Sequence, residues 1–235
     1  MNKLKADITE IFSSIQGEGI FIGARQIFVR FKDCNLNCLY CDEMPKGLSP
    51  KEYDIEDLMS KVRSLEESKG PYHSVALTGG EPLLYTDFLK EFLKSLKKEG
   101  FKTYLETNGI LPGEFGKVIN LVDIIAMDFK LPSSTGERAY WKEHKEFLKI
   151  AARKKVFVKA VVTPNTTNED IKKAVALIKR AGENIPLILQ PATPVNPSDK
   201  AVDANSLLGF LEIASRSNFE NIRVIPQIHK LLGVK

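Results

Sequence analysis

The chain is expected to be an α/β protein with a mostly parallel sheet and crossover helices, closed or partly closed as a barrel. Short apolar or β-branched runs alternate with helical periodicity through most of its 235 residues. The chemically unusual residues fall just after those runs, where a β/α barrel keeps its working rim. No linker interrupts the pattern, so residues 1–235 are expected to form one domain.

The first buried run is 27–31, and the others are 74–77, 103–105, 122–126, 156–162, 186–189 and 222–225. Between them, Ile55, Leu58, Met59, Val62 and Leu65 follow Asp54 at helical spacing, and Leu89, Phe92, Leu93 and Leu96 follow Thr86 and Asp87. Helical patterns also cover 137–152, 171–178 and 207–214. Lys159 interrupts an apolar run, either as an inward polar contact or as the end of a strand. The proline-rich stretch 191–197 reads as a loop. Two segments stand outside the alternation, a turn at 12–19 and a tail at 226–235.

Hydrophobic residues at 43% and charged residues at 27% are ordinary for a protein with a full core. No run of apolar residues is long enough to span a membrane. The net charge of +4 is spread along helices, as at Lys90, Lys94, Lys97 and Lys98, so no direct nucleic-acid binding is expected.

All three cysteines, Cys34, Cys38 and Cys41, lie in the stretch DCNLNCLYCD at 33–42. A structural zinc site closes with four ligands, and His73, His144 and His229 stand at no zinc-finger spacing from the triad. The odd count disfavours disulfides. The first residues lack the apolar core of a signal peptide, so a cytoplasmic protein is expected. Cys38 and Cys41 form a CxxC pair, but a redox pair would leave Cys34 without a role and would need to open a helix. Three thiolates on a 4Fe–4S cube leave one iron for a ligand that is not protein, which implies chemistry rather than scaffolding.

In TGGEP at 78–82, Gly79 and Gly80 remove side chains where a run ends and let backbone approach a ligand. Glu81 adds an anion suited to a cationic amine. A tight turn with a solvated glutamate is the alternative for this motif taken alone.

CxxxCxΦC, with Tyr40 as the aromatic Φ, followed by GGEP after the second run, resembles the radical S-adenosylmethionine (radical SAM) superfamily. Within it, FSSIQGEG (12–19), FVRF (28–31), DCNLNCLYCD, LETNG (105–109) and PQIHK (226–230) are similar to the 7-carboxy-7-deazaguanine synthase family. The resemblance covers nearly the full length. It implies a partial, open β/α barrel in which Cys34, Cys38 and Cys41 bind three irons of a 4Fe–4S cluster. S-adenosylmethionine would bind the fourth and supply a 5′-deoxyadenosyl radical that abstracts hydrogen from substrate. The implied reaction converts 6-carboxy-5,6,7,8-tetrahydropterin into 7-carboxy-7-deazaguanine by ring contraction with loss of ammonia, on the route to queuosine-type nucleosides. Mg²⁺, an electron donor such as flavodoxin or ferredoxin, and a homodimer are implied with it.

For the cofactor, the resemblance points to Tyr40 and Asp42 near the adenine and to Gly79, Gly80 and Glu81 near the methionyl amine. It also points to Asp128, Phe129 and Lys130, and to Gln190, Pro191, Ala192 and Thr193. Asp128 as a helix cap and Lys130 as a surface charge are the alternatives. For the substrate it points to Ile15, Gln16, Gly17, Glu18, Arg30 and Thr78, with Glu106 and Asn108 in reach of substrate or ribose. Gln16, Glu18 and Arg30 supply an amide, a carboxylate and a cation, which suit a flat hydrogen-bonding edge and a carboxylate. A solvated Glu18 and an Arg30 paired with a sheet-edge acid are the alternatives.

Family members often place a threonine, a Mg²⁺ ligand, where this chain has Glu43. Glutamate is a hard oxygen ligand, able to take the metal or to leave it to substrate and water. Six extended residues beyond His229 span about 20 Å. In the resembled family the C-terminal carboxylate closes over the substrate, and the resemblance therefore implies that His229 and the carboxylate of Lys235 cap the site, with a frayed end as the alternative. The competing enzyme is an activase of a glycyl-radical protein, which shares the triad but needs a docking surface instead of a pterin pocket. An iron–sulfur electron carrier would ligate all four irons.

Overall fold

The structure is a computed structural model that describes residues 4–42, 49–194 and 199–234. Strand β1 (Lys5–Ile15) pairs antiparallel with β2 (Arg25–Phe31) and with the short β3 (Lys51–Asp54). Beyond β2 every pairing is parallel, through β4 (Ser74–Gly79), β5 (Thr103–Thr107), β6 (Ile124–Asp128), β7 (Lys155–Val162), β8 (Leu187–Pro191) and β9 (Ile222–Val224). Among the described residues the sheet has nine strands, in the order β3-β1-β2-β4-β5-β6-β7-β8-β9. This is the open, mostly parallel α/β architecture that the alternation predicts.

The crossovers carry helices α1 (Ile55–Lys69), α2 (Thr86–Lys98), α3 (Pro112–Val118), α4 (Pro132–Thr135), α5 (Trp141–Ala151), α6 (Asn168–Ala181) and α7 (Ala204–Arg216), and α8 (Ile228–Leu232) follows β9. Asp54 caps α1 by accepting from the Asp57 amide at 2.9 Å, which satisfies one of the orphan donors of the first turn. In α2, Phe88, Leu89, Phe92, Leu93 and Leu96 are buried against the sheet, each contributing about 1.5–3 kcal/mol of burial.

The helical pattern at 137–152 begins later than predicted, at Trp141. Gly136 takes a left-handed φ of 75° after α4, and residues 137–140 run on without helix. The run at 122–126 is displaced toward 124–128. The turn expected at 12–19 is half strand, because β1 reaches Ile15.

Alternate side chains on the strands serve two cores. Val29, Leu77, Leu105, Ile125, Val158 and Leu189 face the helices. Phe28, Ala76, Tyr104, Ala126, Phe157 and Ile188 form a smaller cluster on the other face. Phe21, in the one-turn helix Gly19–Phe21, packs edge-on to Tyr104 with ring centroids 5.8 Å apart and fills that inner face. The space above it, at the C-terminal ends of the strands, is left to polar residues. No helix among the described residues is long and apolar enough to cross a membrane.

Candidate active site

A cavity of about 230 Å³ opens at the C-terminal rim of the sheet. Phe31 ends β2, and the chain continues into the cysteine loop; Cys34, Cys38 and Cys41 all line the cavity. The loop is tied down by its backbone, with the Leu39 amide donating to Thr135 O at 2.9 Å and the Asn37 amide to Glu137 at 2.8 Å. Cys38 and Cys41 lie on a turn and not at a helix start, which removes the geometry a thioredoxin-type pair needs. Burial pushes the Cys38 thiol up to about 11 and raises that of Cys34 as well. Iron must therefore displace protons when it binds.

Gly79 and Gly80 both line the cavity, yet their missing side chains serve the cysteine loop first. A Cβ on Gly80 would stand 2.0 Å from Asp33 O, and one on Gly79, whose φ is 108°, would stand 2.3 Å from Phe31 O. The Gly80 amide donates to Phe31 O at 2.9 Å and the Glu81 amide to Asp33 O at 2.6 Å. Glu81 does not enter the cavity. Its carboxylate is fully buried and accepts from the Leu83 amide, the Thr107 hydroxyl and the Asn108 amide at 2.7–3.0 Å. The anion expected beside the amine is thus spent on joining β5 to the turn after β4.

Gln16 and Glu106 form the inner polar wall. The Gln16 side-chain amide donates to Gln26 and to Glu106, each at 2.9 Å, and its carbonyl accepts from the Glu18 amide at 3.0 Å. Thr78 donates to the other oxygen of Glu106 at 2.6 Å. Burial, with Glu18 nearby, raises the Glu106 carboxyl despite the opposing Lys159 charge. Arg30 also lines the cavity, ion-paired to Glu10 at 3.3 Å and lying over the Phe12 ring. Its pairing with a sheet acid is therefore real, and its place in the cavity wall is real as well.

Lys159 points inward from β7 and pairs with Glu18 and, at 3.4 Å, with Asp128. Lys130 takes the other Asp128 oxygen at 2.9 Å. Burial opposes charge on all four groups, but mutual attraction outweighs it: Glu18 and Asp128 are held below the usual carboxylate range and both lysines are raised well above theirs. Side-chain exposures of 12–19% in these pairs exclude a solvated Glu18 and a surface Lys130.

The tail closes one side. The Ile228 amide donates to Gly17 O at 2.9 Å, and a Cβ on Gly17 would lie 2.0 Å from His229 Nδ1, so only glycine admits the histidine there. Gln227 donates to Glu18 at 2.8 Å and to Asp42 at 3.2 Å, and accepts from the Thr193 hydroxyl at 2.7 Å. Lys230 pairs with Asp42, beside Cys41. Burial lowers the His229 pKa, so its ring is neutral at neutral pH.

Comparison with known proteins shows what this geometry belongs to. Residues 28–182 match the Radical SAM superfamily model. The chain is 39% identical to the 7-carboxy-7-deazaguanine synthase of Geobacter sulfurreducens across 99% of both chains. The chain belongs to the 7-carboxy-7-deazaguanine synthase family. The relative from Methanothermobacter thermautotrophicus is 34% identical over 99% of each chain. The crystal structure of QueE from Escherichia coli shares the fold, with a TM-score of 0.64, 20% identity, and coverage of 95% of this chain and 94% of that one. The protein is a radical SAM enzyme of 7-deazapurine biosynthesis, and the glycyl-radical activase is not favoured.

Membership of the 7-carboxy-7-deazaguanine synthase family implies a 4Fe–4S cluster and S-adenosylmethionine, and the residues fit both. Among the described residues no three His, Cys, Asp or Glu side chains converge on a single ion. A cube asks for less, because each thiolate takes its own iron. Buried polar atoms of cavity residues, the Tyr40 hydroxyl and Gln190 Oε1, have no hydrogen-bond partner among the described residues and offer themselves to a ligand.

Most residues expected at the site line this cavity, among them Ile15, Gln16, Gly17, Tyr40, Thr78, Ala192 and Thr193. Three do not. Glu81 is buried behind the rim, Pro191 closes β8, and Phe129 is fully buried with its ring stacked on His144 at 4.7 Å. Glu43 and Lys235 lie outside the described residues. Lys159 and Gln227 were not expected as site residues; a lone lysine in an apolar run was the one available signal for Lys159.

Proposed function

We propose that the protein converts 6-carboxy-5,6,7,8-tetrahydropterin into 7-carboxy-7-deazaguanine. The observation that carries this reading is one cavity with three cysteine thiols on one side and the Glu18, Glu106 and Arg30 shell on the other. The bound 4Fe–4S cluster and S-adenosylmethionine supply a radical able to abstract hydrogen. Cys34, Cys38 and Cys41 hold the cluster, while Tyr40, Gly80, Asp128, Lys130 and Gln190 embrace the cofactor.

Glu18 and Glu106 accept from the guanidine-like edge of the pterin, and Arg30 draws its carboxylate. Gln16 acts at one remove, since its side chain is spent on aiming Glu106 and the Glu18 backbone. Gln227 and His229 cover the substrate and keep water from the reactive centre. Mg²⁺ assists the rearrangement, with Glu43 as a candidate ligand; flavodoxin or ferredoxin supplies the electron, and the enzyme works as a homodimer in the cytoplasm.

The test is anaerobic reconstitution with iron and sulfide, then incubation with S-adenosylmethionine, reductant and the carboxypterin. The deazapurine and ammonia should appear together. Cleavage of S-adenosylmethionine without any deazapurine would overturn the substrate assignment. Mg²⁺ dependence that is the same in wild type and Glu43→Ala would reject Glu43 as a ligand.

A further inference from the structure

Among the described residues, Lys159 is the one cation that touches a carboxylate from each side of the cavity. It reaches Glu18, on the turn after β1, and Asp128, directly opposite it in the β6–β7 register. Glu18 uses its two oxygens differently: Oε2 accepts from Lys159 and Oε1 from Gln227. Each oxygen keeps a further lone pair, so the carboxylate can still accept two parallel N–H donors from a ligand.

Apart from the Gln227 amide, which also favours the anion by donating to Oε1, the charged groups around Glu18 other than Lys159 give it no support. Asp128 and Glu106 are like charges facing it from β6 and β5. His229 and Gln227 on the tail carry no charge at neutral pH. Lys230 is committed to Asp42, and Lys130 to the far oxygen of Asp128. No other ammonium among the described residues contacts Glu18.

We propose that Lys159 is a positioning and specificity-determining residue: it keeps Glu18 ionised and aimed, so that the pocket selects ligands with a paired N–H edge. This rests on the carboxypterin reading. Lys159 touches carboxylates and not the reacting atoms, so its effect falls on binding and only weakly on turnover. Without it, burial and the facing carboxylates push Glu18 toward its protonated form, which cannot accept both donors.

The experiment compares wild type, Lys159→Met, Lys159→Gln and Lys159→Arg as cluster-loaded proteins. Carboxypterin binding is measured without reductant from about pH 6 to about pH 8.5, and KM and kcat are measured with it. Lys159→Met and Lys159→Gln should weaken binding about thirtyfold or more at the acid end. Their Kd and KM should fall as pH rises and Glu18 deprotonates, while wild type stays flat and Lys159→Arg resembles it. Glu18→Gln combined with Lys159→Met should bind weakly at every pH.

Binding by Lys159→Gln within twofold of wild type overturns the inference, and so does weakened binding with no pH dependence, which marks a merely structural role. If Lys159→Met fails to fold, Lys159→Gln and Lys159→Arg carry the same comparison. Wild type that ignores carboxypterin would instead overturn the substrate reading itself.

Discussion

Gly80→Ala separates two roles for the glycine pair: admitting a ligand, or admitting the cysteine loop. The added Cβ would meet Asp33 O at 2.0 Å, Asp33 C at 2.4 Å and Lys32 O at 2.8 Å, where ordinary contact begins at 3.4 Å. All three are backbone atoms, so the loop must move by about 1.4 Å or the strand end must twist. Overpacking of that kind costs about 1–3 kcal/mol. The two hydrogen bonds that bind the loop here, from the amides of Gly80 and Glu81, are worth about 0.5–1.5 kcal/mol each and would be stretched. The total is about 2–6 kcal/mol, or about 4–24 °C in Tm for a chain of this size. Calorimetry on the iron-free protein reads this directly, with Gly116→Ala as control, because a Cβ there meets nothing within 4 Å. An iron-free Gly80→Ala protein that melts with wild type, while losing only cofactor binding, would refute the reasoning and return the glycine to the ligand.

Other consequences can be read in parallel. Burial raises Glu81 to about 7, above an unfolded value of 4.5, so the native state holds an extra proton between those values. Wild-type stability relative to Glu81→Gln should therefore fall as pH rises from 4.5 to about 7 and level off above it; urea midpoints across that window check the sign, and a rise would refute it. Lys230→Ala removes a half-exposed pair worth no more than about 1 kcal/mol, so the melting point should barely move. Hydrogen exchange of amides 228–234 should nonetheless quicken, since the tail loses its hold on Asp42; unchanged protection would show that the Gly17 contact suffices. Gln227→Ala should raise the KM for carboxypterin about tenfold by deleting its bonds to Glu18 and Asp42, and an unaltered KM would remove Gln227 from the substrate shell.

The parallel half of the sheet was legible because its strands, β9 apart, are largely buried on both faces and read as mainly apolar runs. β1 and β3 were not. In β1 only Ala6 and Ile8 are buried while its other described side chains stay partly or fully exposed, and β3, with Tyr53 its one apolar contact to the core, pairs on the ladder that β1 offers. The three cysteines stand out from residue type and spacing, whereas Gln16, Glu18 and Arg30 are singled out only by the family resemblance. Glu81 was misplaced because a carboxylate beside two glycines looks the same in sequence whether it faces a ligand or the interior. Only its three donors, supplied from 83, 107 and 108, distinguish the two. Lys159 was undecidable for a similar reason, since Glu18 and Asp128, which draw it inward, lie far from it along the chain.

The bond from Gln227 to Glu18 spans 209 positions. A chain emerging from the ribosome can pair β1 with β2 and lay down each parallel strand in turn, because β4 joins β2 and every later strand joins the edge left by its predecessor. The cavity wall stays incomplete throughout, with Glu18 lacking its Gln227 partner until the segment after β9 arrives. A nascent protein stalled before that point would own its cysteine loop and could gather iron, yet would have no closed chamber in which to aim a radical. If the proposed function holds, activity is expected only once the tail has arrived, after the sheet itself has been built.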